Sequence, residues 1–338
     1  MKRILVIRMS SIGDIVLGTS FLSSVKNQFP DAKIDFLIKK EFAPILSKHP
    51  QINRLICYEK AKGFKGLINL IIELRSKKYD SVFDIHNVFR SRLIGLFLRN
   101  VKRIQKPRWK RLLLFYFKKN LFSSSFSHIK MYHTLLPDIM EFPLTNLHLE
   151  QSDLDAAKSI LDQYNIHKPF IALVPGAAWE QKQWPKEKYN TLIDNLNKNK
   201  SFNFVLLGGP NDTICDEIES NKGLINLKGK TSLLEAMSLL KLAQFTIGSD
   251  TGLVHISEAL GTPVGMILGP TSRETGAGVN HANSFNFQVD NLSCRPCSQN
   301  GKRKCYQSKQ FCMENLEPQL IAKTVLSQLC FLEFFILC

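Results

Sequence analysis

Four short stretches put residues capable of chemistry where the backbone changes direction. RMSSIGDI, Arg8 to Ile15, follows a run that reads as a buried strand, Ile4 to Ile7, and places a lone carboxylate, Asp14, where a helix begins. A carboxylate there either caps the helix and meets its dipole or takes a proton from a substrate. Ser10, Ser11 and Gly13 keep the turn small, and Gly13 can take a backbone conformation closed to bulkier residues. VPGAAWEQKQWP ends a strand at Pro175-Gly176, lets backbone N–H groups approach a ligand, and sets Lys182 within reach of an anion. LLGGPND pairs Gly208 and Gly209 with Asp212, placed as an acceptor for a ribose hydroxyl. GSDTGLVHISEALG puts Asp250, Thr251 and Gly252 at a helix N-terminus, where unpaired N–H groups favour a diphosphate, with His255 one turn later. Each stretch alone is weak. Three in order, at successive strand ends, point to a nucleotide-type ligand.

The elements that hold these stretches alternate. Ile4–Ile7, Ile34–Ile38, Arg54–Tyr58 and Ser81–Ile85 read as strands, with helical periodicity between them, as at Ile15, Phe21, Leu22, Val25 and Phe29. The rhythm resumes at FIALVPG, FNFVLLGG, LINLKG, FTIGSD and PVGMILGP, with SLLEAMSLLKLA helical. An α/β chain with two doubly wound units in tandem is expected, linked around Glu150 to Lys168. Parallel sheets of this kind place ligands at the carboxyl ends of their strands, so the expected site is a cleft between the domains.

Composition narrows the partner. The chain has 338 residues, 44% of them hydrophobic, enough for two domains each with a core. The first residues lack the apolar h-region of a signal peptide, and LLLFYF and FFILC fall far short of the ~20 residues needed to cross a bilayer, so a cytoplasmic protein is expected. Of the net charge of +16, residues 1–150 carry all: 27 Lys and Arg against 11 Asp and Glu, with 18 of each thereafter. A field of one sign favours a polyanionic partner: nucleic acid, an anionic membrane or a phosphorylated substrate. Phe97 to Phe122 interleaves cations, Arg108, Lys110 and Arg111 among them, with aromatic and aliphatic residues, as an interfacial segment does. Cys294, Cys297, Cys305 and Cys312 lie within nineteen residues and suggest a structural zinc site, although the spacing is irregular.

RMSSIGDI, PGAAWEQKQWP, LLGGPND and FTIGSDTGLVHISEALGTPVGMILGPTS together resemble the glycosyltransferase family that contains the bacterial lipopolysaccharide heptosyltransferases, over nearly the whole chain. The resemblance implies a glycosyltransferase B fold, two Rossmann-like domains facing a cleft: residues 1–155 for the acceptor, residues 168–314 for the nucleotide-sugar, and a helix over 315–338 packing across both. It implies transfer of a heptose from ADP-heptose to the inner core of lipopolysaccharide, with inversion and no metal or other cofactor for the transfer. Carried over by motif, Asp14 is the catalytic base, and Lys182, Asp212, Thr231, Asp250, Thr251, Gly252 and His255 bind the donor. The acceptor, a lipid-linked phosphorylated core oligosaccharide, then meets Ser10, Ser11, Gly13 and the basic Arg108, Lys110 and Arg111 on the inner face of the cytoplasmic membrane, with the protein peripheral there. Other readings are a transferase of the same fold with another nucleotide-sugar or acceptor, and a non-catalytic protein binding lipopolysaccharide or nucleic acid. Against nucleic acid, the chain has no RNP, KH or zinc-finger pattern, and the strand-end turns would be idle.

Overall fold

The computed structural model describes every residue except 199–200, 220–222 and 337–338, and only the backbone of 331–336. The chain divides into two compact units, Met1–Pro107 with Ser125–His148, and Arg108–Ser124 with Leu149–Cys338.

In the first unit five parallel strands run β1 (Arg3–Ile7), β2 (Lys33–Lys39), β3 (Arg54–Tyr58), β4 (Ser81–Asp84) and β5 (Val101–Arg103), in spatial order β3-β2-β1-β4-β5. Ile4 to Ile7 are fully buried, as an apolar run covered on both faces requires. Ile7 pairs with Leu37 on one side and Asp84 on the other, so the residues after these strands share one carboxyl edge. One face is covered by α1 (Ile12–Gln28); the other carries α2 (Gly63–Ser76) and α3 (Phe89–Leu96), whose Leu67, Leu70, Leu74 and Ile94 join the same core as Leu5 and Ile7. Every residue of α1 from Ile15 to Val25 is buried, Thr19, Ser20, Ser23 and Ser24 included. Those hydroxyls are satisfied: Thr19 Oγ1 donates to the Val16 carbonyl, and Ser24 Oγ bonds His133 Nε2 at 2.9 Å. A helix buried all round shows little polar–apolar periodicity, and here α5 (His128–His133) lies against it.

The segment Arg108–Ser124, expected with the acceptor domain, belongs instead to the second unit. Its helix α4 (Arg108–Phe117) is tied there by Arg111 Nε to the Glu274 carbonyl at 3.2 Å, and Lys118 Nζ just beyond donates to the Cys294 carbonyl at 2.8 Å. The first unit consequently keeps 22 Lys and Arg against 10 Asp and Glu, a net charge of +12. The remaining elements are α6 (Gln151–Gln163), β6 (Phe170–Val174), α7 (Lys186–Asn197), β7 (Asn203–Leu206), α8 (Ile214–Glu217), β8 (Leu224–Asn226), α9 (Leu233–Leu242), β9 (Phe245–Ser249), α10 (Gly252–Ala259), β10 (Val264–Leu268), β11 (Phe285–Gln288), α11 (Phe311–Glu314) and α12 (Pro318–Ile336). The second sheet is also wholly parallel, in order β11-β10-β9-β6-β7-β8. Helix α12 packs on α7 and sends Ile321, Val325 and Leu329 into this unit's own core; Leu337 and Cys338 of the expected terminal helix lie outside the described residues. Among the described residues no helix is long and apolar enough to cross a membrane.

Candidate functional site

Each unit gathers its polar residues beyond the carboxyl ends of its strands. In the first, Arg8 leaves β1 and is almost fully buried; its Nη1 donates to the Ile85 carbonyl at 2.7 Å and its Nη2 pairs with Asp14 Oδ2 at 2.5 Å. Ser11, not Asp14, is the N-cap residue of α1, and Asp14 is the third helical residue. Its Oδ2 also accepts from the Ser11 hydroxyl at 2.9 Å, while Oδ1 accepts from Tyr132 Oη at 3.2 Å and lies 3.6 Å from His128 Nδ1. Burial alone would raise the Asp14 pKa, but the Arg8 guanidinium, then His128 and Ser11, hold it well below the usual carboxylate range. A quarter of the Asp14 side chain still meets solvent. The result is a carboxylate ionised at neutral pH, fixed in direction and reachable. It can orient a hydroxyl and take its proton late, as that hydroxyl attacks. Gly13 differs from expectation: it is an ordinary helical residue of α1 and is not among the glycines with positive φ.

His86, two residues beyond β4, adds a group that the sequence did not single out. It is buried, its Nδ1 has no hydrogen-bond partner, and burial, followed by the Arg8 and Lys106 cations, pushes its pKa down to about 3. It is therefore a neutral imidazole at pH 7. The only sequence signal is its place just past the end of a strand, in SVFDIHN. His128 and Tyr132 are likewise invisible locally, because a separation of 118 residues divides Tyr132 from Asp14.

In the second unit Lys182 ends a short 3-10 turn, Glu180–Lys182, ahead of the fully buried Trp184, whose indole N–H donates to the Met313 carbonyl at 3.1 Å. Lys182 Nζ lies 2.8 Å from Asp250 Oδ2, which also accepts from Thr271 Oγ1 at 2.8 Å; His255 Nε2 is 3.9 Å from Asp250 Oδ1. Burial would raise the Asp250 pKa, but Lys182 and then His255 lower it overall. Asp250 is not the helix cap: Thr251 is the N-cap residue of α10 and Gly252 its first residue. Asp212 braces the neighbouring turn instead of standing free. Its Oδ2 accepts from Gly209 N at 2.7 Å, and its carboxylate fills the space beside Gly176, where an added Cβ would come within 2.3 Å of it. Thr231 immediately precedes Ser232, which caps α9 in a reciprocal pair with Glu235. The structure thus brings Lys182, Asp250, Thr251, Gly252 and His255 into one cluster. Ser10, Ser11 and Asp14 share the turn of the first unit, whereas Arg108, Lys110 and Arg111 lie on α4 of the second.

The four cysteines do not fit the expected zinc. Cys297 and Cys312 are buried thiols whose pKa values burial raises, and Cys305 Sγ is turned to the Lys309 carbonyl at 3.7 Å. Among the described residues no group of three or more His, Cys, Asp or Glu is arranged to hold a metal ion.

Residues 67–307 match the family model described as glycosyltransferase family 9 (heptosyltransferase). The chain is 29% identical over 282 residues to lipopolysaccharide heptosyltransferase 3 of Escherichia coli (strain K12), covering 77% of this chain and 80% of that protein. It is 25% identical over 311 residues to lipopolysaccharide heptosyltransferase 2 of Salmonella typhimurium (strain LT2), covering 82% and 86%. In fold it is similar to the solved structure of E. coli ADP-heptose lipopolysaccharide heptosyltransferase II, with TM-score 0.75, 22% identity and 98% and 100% of the two chains covered.

Proposed function

The chain belongs to glycosyltransferase family 9, the heptosyltransferases, and from that premise we propose that it transfers a heptose from ADP-heptose to the inner core of lipopolysaccharide, with Asp14 as general base. It is a glycosyltransferase with a glycosyltransferase B fold of two α/β units. The observation that carries the finer reading is the Asp14 carboxylate: ionised, aimed by Arg8, Ser11 and Tyr132, and open to solvent on one side.

In this reading the acceptor hydroxyl hydrogen-bonds Asp14 and attacks the anomeric carbon from the face opposite the leaving ADP, which inverts the configuration. Asp14 takes the proton as the new bond forms. The departing diphosphate gains negative charge, which Lys182 and the N–H groups at the start of α10 can meet without a divalent ion. One carboxylate is enough, because a nucleoside diphosphate leaves without the proton that a sugar alcohol would need. His255, buried beside Asp250, keeps Lys182 and its counter-ion in register. The acceptor is lipid-linked, so the protein would work at the inner face of the cytoplasmic membrane as a peripheral protein. The two relatives described above are named lipopolysaccharide heptosyltransferases, and the reading follows them.

The test is a thermal-shift screen of nucleotide sugars followed by transfer to a purified core acceptor, with the product weighed by mass spectrometry. ADP-heptose should raise the melting point most and add one heptose mass. Stabilisation and transfer by another nucleotide sugar, with none from ADP-heptose, would move the assignment to a different donor.

A further inference from the structure

Helix α2 has two apolar faces. Leu67, Leu70, Ile71 and Leu74 are buried against the sheet, while Phe64, Ile68 and Ile72 point to solvent, 70%, 41% and 62% exposed. At i, i+4 and i+8 these three form one continuous row about 12 Å long on the outside of the helix. A lone exposed apolar residue means nothing, but three in a row on a surface helix are an unpartnered face. Lys60, Lys62, Lys65, Arg75, Lys77 and Lys78 flank the row along the chain, and the acids beside it are paired, Glu73 with Arg54 at 2.6 Å and Glu59 with Lys62 at 2.8 Å. At the C-terminal end of α2 the surface continues into a groove of about 710 Å³ between α2 and the end of α3. Arg75, Lys78 and Arg99 border it against a single carboxylate, Asp80, whose Oδ2 accepts from Arg3 N at 2.7 Å, and Leu96 and Phe97 stand exposed beside it.

We propose that this outer face of α2, with the basic groove at its end, is a docking surface for an anionic phospholipid bilayer. The apolar row suits the boundary between headgroups and acyl chains. The cations around it suit phosphate headgroups, and a unit of net charge +12 is drawn to such a surface from a distance. Charge complementarity decides against a second copy of this chain as the occupant, because two such faces would bring like charges together. The inference rests on the proposed peripheral placement but names a different segment from the aromatic α4. It requires no claim about donor or acceptor.

Co-sedimentation with vesicles free of lipopolysaccharide tests it. The protein should bind vesicles of phosphatidylglycerol and phosphatidylethanolamine, bind pure phosphatidylcholine vesicles far less, and dissociate as salt rises. The variant Phe64→Ser/Ile68→Ser/Ile72→Ser should lower the bound fraction by roughly tenfold or more. Lys65→Glu/Lys78→Glu, which leaves the apolar row intact, should weaken binding mainly at low salt. Both variants should keep the wild-type turnover of a soluble core acceptor, which separates loss of docking from loss of the transferase reading. Equal binding of wild type and both variants overturns the proposal. So does light scattering that finds a wild-type dimer which the triple serine variant dissolves.

Discussion

Asp14 and Asp250 occupy comparable places, each past a strand of a parallel sheet and beside the start of the next helix, and each is paired with a cation. The pairs differ in what is left over. Asp250 is nine-tenths buried, and its oxygens face Lys182, Thr271 and His255. Asp14 retains a solvent-facing side and is paired with an arginine that the Ile85 carbonyl also anchors. A guanidinium cannot give up its charge and is locked in a fixed fork, whereas an ammonium on a flexible stem can turn from a carboxylate to an incoming anion. The first pair therefore presents its carboxylate and the second holds back its cation. On the proposed reading, a base and an anion clamp would be made from the same two charges by changing which partner is fixed.

The comparison breaks most sharply at Asp14. Asp14→Asn removes the charge, keeps one oxygen that can accept from Ser11 or from Tyr132 but not both, and leaves the buried Arg8 guanidinium without its counter-ion, so the melting point should fall while turnover of the folded protein drops by about 10²-fold or more. Steady-state kinetics and a melting curve on the same preparation check it. Normal turnover would return Asp14 to the role of a helix-start residue.

Next in size is the clamp. Lys182→Met should weaken donor binding and slow transfer by roughly 10- to 100-fold, since a charge on the leaving group is worth most in the transition state. It also strands Asp250, and an uncompensated buried carboxylate costs about 3–5 kcal/mol. Adding Asp250→Asn should restore the melting point without restoring activity. If the double variant recovers both, Lys182 serves the fold and not the donor.

Arg8 sharpens the other half of the comparison. Arg8→Gln takes away the largest influence that lowers the Asp14 pKa, so the acid limb of kcat/KM should move to higher pH while the plateau falls about tenfold from lost alignment. Stability follows the same sign. Asp14 and Asp250 have folded-state pKa values below the ordinary 3.8, so the unfolded chain binds more protons near that pH. Their contribution is complete above about pH 5 and is lost as pH falls through the folded values. Melting points should begin to fall as pH drops below about 6.5, where the unfolded chain protonates His86 and His49 while the folded chain keeps them neutral, with pKa values pushed down to about 3 and about 4. They should fall further below about pH 4 as Asp14 and Asp250 take up protons, and this last part should be smaller in Arg8→Gln. An acid limb that stays in place would detach Arg8 from the base.

What the sequence disclosed depended on the range of the interaction. Nine of the strands are short apolar runs ended by glycine, proline or a polar turn, and they read directly as alternating α/β units. β5, Val101–Arg103, and β11, Phe285–Gln288, are brief and half-polar and gave no such run. The strand-end turns named Asp14, Lys182 and Asp250 because parallel sheets expose those positions. Their partners did not follow: Arg8 meets Asp14 within the same turn, but Tyr132 and His128 arrive through α5, which lacks any pattern linking it to β1. The segment 108–124 was misplaced for the same reason. Its attachment is a few hydrogen bonds to the Glu274 and Cys294 region, which neither periodicity nor charge along the chain records. Gly13 is able to take a backbone conformation closed to bulkier residues, but the helix needs only an ordinary residue there.

The smallest expected effect separates two uses of Asp212. Read from LLGGPND it is a ribose acceptor, yet its Oδ2 is bonded to Gly209 N, and the carboxylate packs over Gly176. Asn at this position keeps one carbonyl oxygen for the Gly209 N–H, so the two turns should stay in place and the melting point should move by no more than a few degrees. A hydroxyl bonded to the neutral amide loses the charge assistance that roughly doubles such a bond, so donor affinity should fall about three- to tenfold if Asp212 also serves the ribose. Titration calorimetry with the nucleotide diphosphate alone reads this directly. Unchanged affinity would leave Asp212 as the brace between the turns after β6 and β7, and the donor would then be held on this unit by the Lys182 cluster and the start of α10.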